Sequence, residues 1–404
     1  MDNKGLKSST GHRGEKIRSD CYIEIEITKS SGINIELKSK VASLYGAEIK
    51  NQISAMCGFF GLRNAKIFLE DYGALPFVIE ARFEHAVNNL FPSNEREYLL
   101  PYNKNNNYIS SKDRLRRSRL YLPGNEPKFF LNAGLHKPDG IILDLEDSVA
   151  PLEKDAARLL VRNALRCIDF YGSERMVRIN QLPLGLKDLE YIVPNNVHVI
   201  LIPKCENPDQ VIEVNDHVLR IKHENNIKND IYLMPIIESA LGVIKSFKIA
   251  AAVKSNCALT IGLEDYTADI GTHRTIEGKE SFFARTMVVN AAKASGIQAI
   301  DTVFSDIADM EGLKQSVIEA KSLGFEGKGC IHPSQIPIVH KYFEPTPEEI
   351  EKAKKIVLAF EDAQSNGYGV ISIGSKMIDA PVVKRAQQTI RMAVLNNLLD
   401  ENWK

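Results

Sequence analysis

Alternating apolar and polar positions in the first 90 residues are typical of a small α+β unit. Every second position is apolar over residues 22–27, 33–37 and 65–69, which predicts three strands. Apolar residues at helical spacing predict helices over residues 40–57 and 76–90. Such a unit can build its own core, but it is marginal in size for independent stability.

A polar stretch separates this unit from the rest of the chain. Residues 91–113 are rich in Asn and carry no apolar period, which predicts a linker. Beyond it, apolar runs of strand length alternate with amphipathic helical segments. The predicted strands cover residues 118–123, 140–146, 176–180, 197–204, 231–238, 258–265, 298–304 and 326–332. Strands that alternate with helices predict parallel pairing and right-handed crossovers.

Eight strand–helix units favour a closed (β/α)8 TIM barrel, which typically takes about 250 residues. An open doubly wound sheet is the alternative that the same alternation allows. We therefore expect a small α+β domain over residues 1–90, a linker over 91–113, a TIM barrel over 114–340 and a helical extension over 341–404. Thr346, Pro347 and Glu349 form a helix-start signal in that extension.

Composition and charge narrow the function classes. The 404 residues contain 51 Lys plus Arg and 52 Asp plus Glu, a formal net charge of −1, so no net field draws the chain to nucleic acid or to a membrane surface. No apolar run approaches the ~20 residues of a membrane span, and no signal-peptide core is found at the N-terminus. The six cysteines form no CxxC pair. We therefore expect a cytoplasmic protein without a disulfide framework or a zinc site.

Polar side chains stand where the predicted barrel strands end. They are Asp144, Glu146, Asp147, Arg178, Lys204, Glu238 and Asp265. Because the carboxyl ends of parallel barrel strands open on one face, these groups should meet at one mouth. Clustered carboxylates repel one another unless a cation balances them. Mg²⁺ accepts one or two protein carboxylates and leaves its other positions to water and substrate, so a hard, oxygen-bound metal is favoured.

Other interpretations of these residues stay open. An Arg–carboxylate network at this position could simply fasten the rim of the barrel. Arg178 suits a substrate carboxylate, because a guanidinium binds carboxylates through two parallel hydrogen bonds. Lys204 could form a Schiff base if its pKa were lowered, but carboxylate neighbours would raise that pKa and favour a role as a charge partner. No GxGxxG or GxxxxGK[ST] motif supports a nucleotide site.

Several motifs resemble the citrate lyase β-subunit family, within the HpcH/HpaI aldolase group. They extend from Arg117 to about Arg391. The motifs are RSRLYLPGN at residues 117–125, DLEDSV at 144–149, RIN at 178–180, IE at 237–238, GLEDYTAD at 262–269 and GKGCIHPSQ at 327–335. The resemblance implies a TIM barrel that uses Mg²⁺ to cleave a carbon–carbon bond in a 3-hydroxyacyl thioester.

The resemblance also implies a role for each matching residue around the metal. Glu238 and Asp265 would be the Mg²⁺ ligands, and Glu146 and Asp147 would hold metal-bound waters.

Further roles implied by the resemblance concern the substrate. Arg178 would bind the oxaloacetate-like product, and the Arg119 region would line the thioester site. Asp379 matches a family stretch in which an aspartate reaches the active site of a neighbouring subunit as acid/base. A homo-oligomer is therefore expected, with other citrate-lyase-type subunits as further candidate partners.

The first 90 residues resemble the citrate lyase acyl carrier (γ) subunit. The similarity rests on Ser19-Asp20 before a strand, Tyr45-Gly46, DYGAL at residues 71–75 and ARFE at 81–84. The carrier family attaches a phosphoribosyl-dephospho-coenzyme A arm to a serine two places before the aspartate. Arg18 occupies that place here, and Ser19 follows one position later. Ser19 is the candidate attachment site, and a module that only assists folding or assembly is the alternative.

The sequence thus predicts a Mg²⁺-dependent carbon–carbon lyase. Its substrate would be a citryl-type thioester, bound to CoA or to a carrier, and retro-Claisen cleavage would yield an oxaloacetate-like 2-oxo acid and an acetyl thioester. One alternative is a malyl- or citramalyl-CoA lyase that uses free CoA thioesters. Another is a non-catalytic assembly protein on a lyase scaffold.

Overall fold

The chain forms a small α+β domain, a closed barrel and a C-terminal helical unit, and the computed structural model describes residues 5–365, 371–373 and 376–404. The elements of the small domain are β1 (Lys7–Gly11), β2 (Cys21–Ile27), β3 (Ile33–Ser39), α1 (Ala42–Phe60), β4 (Ala65–Asp71) and α2 (Pro76–Leu90). Their order in the sheet is β1-β2-β4-β3. Inward-facing apolar residues of the strands pack with the two helices in one core, for example Ile23, Ile53 and Phe83.

The edge strand β1 is the element of this domain that the hydrophobic pattern does not predict. Its sequence, Lys-Ser-Ser-Thr-Gly, contains no large apolar residue. Backbone pairing with β2 alone defines this strand, in an antiparallel register that joins Lys7 to Glu26. Main-chain hydrogen bonds to one neighbour hold an edge strand, so a polar sequence can form it.

Eight parallel strands form the barrel. The strands are β5 (Ser118–Pro123), β6 (Gly140–Asp144), β7 (Glu174–Arg178), β8 (Val199–Ile202), β9 (Tyr232–Ile237), β10 (Ala258–Ile261), β11 (Gln298–Asp301) and β12 (Gly327–Cys330). Around them lie α3 (Lys154–Cys167), α4 (Leu184–Ile192), α5 (Pro208–Glu224), α6 (Ala240–Ala250), α7 (Leu263–Asp269), α8 (Phe282–Ala294), α9 (Met310–Leu323) and α10 (Ile336–Phe343). β12 pairs with β5 and closes the ring. This closure confirms the TIM barrel over the open sheet.

The carboxyl ends of several strands are shorter than the sequence pattern predicts. β10 ends at Ile261, and the following residues form the short helix α7. Asp265 therefore lies in the first turn of a helix instead of on a strand. Gly262 stands at this change of direction, where a Cβ would come within 2.5 Å of Glu238 Oε1. The absence of a side chain at Gly262 lets the Glu238 carboxylate lie against the backbone.

Helix α2 belongs to the cores of both the small domain and the barrel. Its contacts with the barrel core are made by Phe77, Val78 and Ala81. Two buried ion pairs accompany them. Arg82 binds Asp20 at 2.8 Å, and Arg162 of α3 binds Glu84 at 2.8 Å. The small domain is thus fastened to α3 by apolar packing and by a buried charge pair.

The C-terminal unit consists of α11 (Pro347–Ser365), β13 (Ile371–Ile373), β14 (Lys376–Ile378) and α12 (Ala380–Leu395). Helices α11 and α12 share an apolar core that includes Ile356, Val357 and Ile390. An ion pair of 2.7 Å between Arg391 and Asp113 ties α12 to the segment before β5. Among the described residues, the helices are all too short or too polar to span a membrane.

The buried Glu80 of α2 gives a pH-dependent prediction. Burial raises the pKa of its carboxyl from the ordinary 4.5 to about 8. Gln52 donates to one oxygen, and the other has no hydrogen-bond partner in the part of the chain that the structure describes. The folded state keeps a proton that the unfolded chain releases, so stability should fall as the pH rises through this interval, by up to about 1.4 kcal/mol per pH unit. Glu80→Gln should flatten the decline in urea unfolding between pH 6 and pH 9.

Glu36, exposed on β3, supplies the matched control for that measurement. Glu36→Gln should retain the wild-type pH profile. A Glu80→Gln profile as steep as that of the wild type would contradict the prediction.

Candidate active site

The carboxyl ends of the barrel strands surround a cavity of about 400 Å³. Its lining contains most of the polar residues predicted from the sequence. They are Arg119, Asp144, Asp147, Arg178, Glu238 and Asp265. Glu146 lies behind this lining and is buried. The parallel topology therefore brings together residues that are far apart in the chain, as expected for a barrel mouth.

Arg178, the last residue of β7, is clamped by acidic neighbours. Its Nε and Nη2 donate to the two Asp144 oxygens at 2.6 and 2.7 Å, and Nη1 lies 2.9 Å from Glu146 Oε2. Burial alone would raise the pKa of Asp144, but the Arg178 guanidinium holds it below its ordinary value. A guanidinium has five N–H donors. Asp144 takes two of them, which leaves the others for Glu146 and a substrate carboxylate.

Lys204 lies among three carboxylates of the mouth. Its Nζ is 3.4 Å from Asp265, 3.5 Å from Glu146 and 3.5 Å from Asp147. Burial alone would lower the pKa of Lys204, but the negative charges of these neighbours raise it above the ordinary value. A raised pKa keeps the amine protonated, which opposes Schiff-base formation and supports a role as a charge partner.

Glu238 follows β9 and points toward the same group of charges. Its Oε2 accepts a hydrogen bond of 2.8 Å from the backbone N–H of Lys204. Lys204 has a positive φ of 46°, a costly left-handed conformation of the kind that concentrates at functional sites. Burial raises the pKa of Glu238 to about 7, and the charge of Asp265 contributes in the same direction. A cation bound beside the two carboxylates would reverse this effect.

The donor set suits a hard cation with few protein ligands. Within the described ranges, no three His, Cys, Asp or Glu side chains are arranged to hold a metal ion by themselves. Glu238 and Asp265 supply only carboxylate oxygens, and both line the one cavity. Mg²⁺ binds through one or two carboxylates and keeps the rest of its shell for water and substrate. The positive Lys204 amine lies beside Asp265, Glu146 and Asp147, so a cation already balances part of the negative charge at this position.

Two further residues of the site were not predicted from the sequence. Gln181 donates from Nε2 to Glu146 Oε1 at 3.0 Å and so orients that carboxylate. The ring of Tyr121 lies with its centroid 5.6 Å from the Arg178 guanidinium carbon. Tyr121 could have been found by its spacing, because it shares the inward face of β5 with Arg119.

The two remaining predicted site residues lie outside the cavity lining of this chain. Asp379 caps α12 by accepting a hydrogen bond from the backbone N–H of Val382. Ser19 is half-buried with a φ of 55°, and its backbone N–H donates to the Tyr72 carbonyl. Asp20 beside it is buried and bound to Arg82, so this aspartate has a structural role.

A family comparison decides what the barrel is. Residues 117–333 match the family described as HpcH/HpaI aldolase/citrate lyase. The chain belongs to the HpcH/HpaI aldolase/citrate lyase family. Residues 9–90 match a second family, described as malonate decarboxylase delta subunit (MdcD). The small domain is therefore of the acyl-carrier-protein type, attached in one chain to a barrel of the HpcH/HpaI family.

Individual members of the family match more than two thirds of this chain. Citrate lyase subunit beta of Leuconostoc mesenteroides subsp. cremoris is 40% identical over 293 residues, which are 72% of this chain and 97% of that protein. Mitochondrial citramalyl-CoA lyase of Mus musculus is 35% identical over 291 residues, which are 69% of this chain and 86% of that protein.

A solved structure of the family has the same architecture. CitE of Mycobacterium tuberculosis, in complex with magnesium, acetoacetate and coenzyme A, is 30% identical to this chain with a TM-score of 0.58. The match covers 70% of this chain and 99% of the CitE chain.

Proposed function

We propose that the protein is a Mg²⁺-dependent lyase that cleaves a citryl-type 3-hydroxyacyl thioester into a 2-oxo acid and an acetyl thioester. The observation that carries the proposal is the convergence of Glu238 and Asp265 on one cavity at the barrel mouth. Membership of the HpcH/HpaI family supports the reaction class. Citryl- and citramalyl-type substrates share that chemistry and differ in one substituent of the carbinol carbon.

Glu238 and Asp265 would hold the metal, and Glu146 and Asp147 would orient its waters. When bound, Mg²⁺ would supply Lewis-acid stabilisation of the negative charge that develops on the substrate oxygens. Bound magnesium in the related CitE structure supports this assignment. The Lys204 amine, which contacts Asp265, Glu146 and Asp147, would adjust the net charge of the site.

The reaction breaks the bond between the carbinol carbon and the methylene carbon next to the thioester. The carbinol oxygen loses its proton and becomes the keto oxygen of the 2-oxo acid. The electron pair of the broken bond passes to the thioester as an enolate, which takes up a proton and becomes the acetyl thioester. Arg178 would fix the substrate carboxylate through the N–H donors that Asp144 leaves free.

Asp379 is the proposed acid/base, supplied by a neighbouring copy of the chain. In its own protomer the carboxylate caps α12 and does not line the cavity. A role in catalysis therefore requires a homo-oligomer. Ser19 remains the candidate site for a prosthetic arm, and intact-mass analysis after co-expression with the transferase machinery would reveal the added mass.

A substrate panel tests the proposal directly. The purified full chain is incubated with citryl-, citramalyl- or malyl-CoA, with and without Mg²⁺. Release of the 2-oxo acid and of free thiol is measured in each case. We expect 2-oxo acid without free thiol, only with Mg²⁺, and fastest from citryl-CoA. Thiol release alone would indicate a thioesterase, and no product from any substrate would contradict the proposal.

A further inference from the structure

Arg119 is a buried cation inside the barrel, and the described residues supply it with no counter-ion. It lies on β5 and is 1% exposed. Its Nη2 donates to Thr260 Oγ1 at 3.1 Å, Nη1 lies 3.0 Å from the Met234 sulfur, and Nε has no hydrogen-bond partner. Within the described part of the chain it takes part in no ion pair. Burial lowers its pKa, as expected for a charge that no anion compensates.

Five other buried arginines of this protein each have a carboxylate partner. Each of the following pairs joins a buried guanidinium to a carboxylate: Arg82–Asp20, Arg116–Glu174, Arg158–Asp188, Arg162–Glu84 and Arg285–Asp301. A charge without such a partner is costly to bury. Strongly perturbed charged groups that face a cleft are candidates for a functional role.

Arg119 borders the cavity that contains the proposed metal ligands. Thr260, which accepts a hydrogen bond from Arg119, lines the same cavity, as do Ile236 and Glu238. Thr260 of β10 is paired with Ile236 of β9, and Glu238 is two residues further along the chain. Two residues of a strand span roughly 6–7 Å. The guanidinium therefore lies about one layer of side chains below the level of Glu238.

This separation fits a short anionic branch of the substrate. A carboxymethyl group on the carbinol carbon reaches ~3.5 Å to its carboxylate oxygens, and a charge-assisted hydrogen bond adds ~2.8 Å. The sum is close to the spacing between the two layers, so a carbinol carbon held at the level of Glu238 would bring this carboxylate within reach of Arg119. A guanidinium at this depth is positioned to bind the small acyl group of the substrate, not the long CoA or carrier portion of the thioester.

We propose that Arg119 binds a second substrate carboxylate, one that branches from the carbinol carbon and points into the barrel. Arg119 is then the residue that determines specificity among citryl, citramalyl and malyl thioesters, which carry a carboxymethyl group, a methyl group and a hydrogen at that carbon. The inference rests on the proposed lyase function. It assigns Arg119 to the carboxylate that branches from the carbinol carbon, not to the thioester.

The test compares the wild type with Arg119→Met and Arg119→Lys on the three CoA thioesters. Arg119→Met should lower kcat/KM for citryl-CoA by roughly 100-fold or more and leave the value for citramalyl-CoA within a few-fold, because a buried site loses most when one member of a polar pair is missing. Arg119→Lys keeps the positive charge but loses the paired donors of a guanidinium. Its kcat/KM for citryl-CoA should therefore lie between those of the wild type and Arg119→Met.

Arg175 provides a matched control for the loss of a buried arginine. It is buried on β7 and forms no ion pair among the described residues. Its Nε and Nη2 bind Asn196, the Tyr108 carbonyl and His198, and it does not line the cavity. Arg175→Met should lower the melting temperature, because it breaks the hydrogen bonds of the guanidinium to Asn196, Tyr108 and His198, and it should preserve the citryl-to-citramalyl ratio. Arg119→Met should not melt earlier than the wild type in the absence of substrate, because it removes an uncompensated charge.

Binding of oxaloacetate and pyruvate separates this inference from the proposed function. With Mg²⁺ present, the wild type should bind oxaloacetate roughly 100-fold more tightly than pyruvate in calorimetric titration, and Arg119→Met should remove the difference. If this holds while no thioester is cleaved, the lyase proposal fails and the carboxylate site stands. If thioesters are cleaved and Arg119→Met keeps both the wild-type citryl-to-citramalyl ratio and the oxaloacetate preference, the role of Arg119 is overturned.

Discussion

Glu238→Gln and Asp265→Asn should each reduce Mg²⁺-dependent thioester cleavage by about 10³-fold or more. Each change removes one of the two carboxylates proposed to hold the metal, and a bound metal stabilises developing charge by several kcal/mol, with ~1.4 kcal/mol for each tenfold in rate. Calorimetric titration with Mg²⁺ alone should show a matching loss of affinity. Glu238→Gln keeps an oxygen that can accept from the Lys204 N–H, so its fold should be retained.

Asp269 offers a matched control on the same short helix as Asp265. Its carboxylate accepts a hydrogen bond from the Ala240 backbone N–H and does not line the cavity. Asp269→Asn should keep a cleavage rate and a Mg²⁺ affinity near those of the wild type. If Glu238→Gln or Asp265→Asn retained more than about a tenth of the wild-type rate, the metal assignment would be wrong.

Arg178→Met should lower the free energy of unfolding by about 3–5 kcal/mol and also abolish cleavage. Asp144, which Arg178 binds through two hydrogen bonds, has a side chain that is only 2% exposed. Removal of one partner leaves an uncompensated buried charge, and that costs more than loss of the whole pair. Urea unfolding monitored by circular dichroism measures the effect.

A double variant separates stability from chemistry at this position. Arg178→Met combined with Asp144→Leu removes both charges and should recover most of the lost stability. Cleavage should stay absent, because the donors proposed for the substrate carboxylate are gone. Recovery of activity together with stability would show that Arg178 only fastens the rim of the barrel.

The alternation of strand and helix along the chain predicted parallel strands, and the number of units favoured the closed barrel over an open sheet. Eight apolar runs separated by amphipathic segments predict parallel pairing, and β12–β5 pairing confirms the closed barrel. The same logic placed Asp144, Arg178 and Glu238 at one mouth. These predictions succeed because the carboxyl end of each parallel strand faces the same way, a property that depends only on topology.

Short elements and edge elements escaped the sequence pattern. Strand β1 carries no apolar period, and α7 is too short to show helical spacing, so Asp265 was expected on a strand. Strand β1 forms because β2 offers it backbone partners. Helix α7 forms because the chain turns away from the barrel at Gly262. Both depend on what lies beside the segment in space.

By itself, the sequence determined the barrel, the attached small domain and the set of acidic and basic residues at the mouth. Only the tertiary structure decided which charges are balanced. Arg82 and Arg162, both on helices, meet carboxylates from distant segments, whereas Arg119 of β5 turns inward and meets no carboxylate among the described residues. The reason is physical: composition counts charges, but the energy of a buried charge depends on distances of a few ångströms that long-range folding sets.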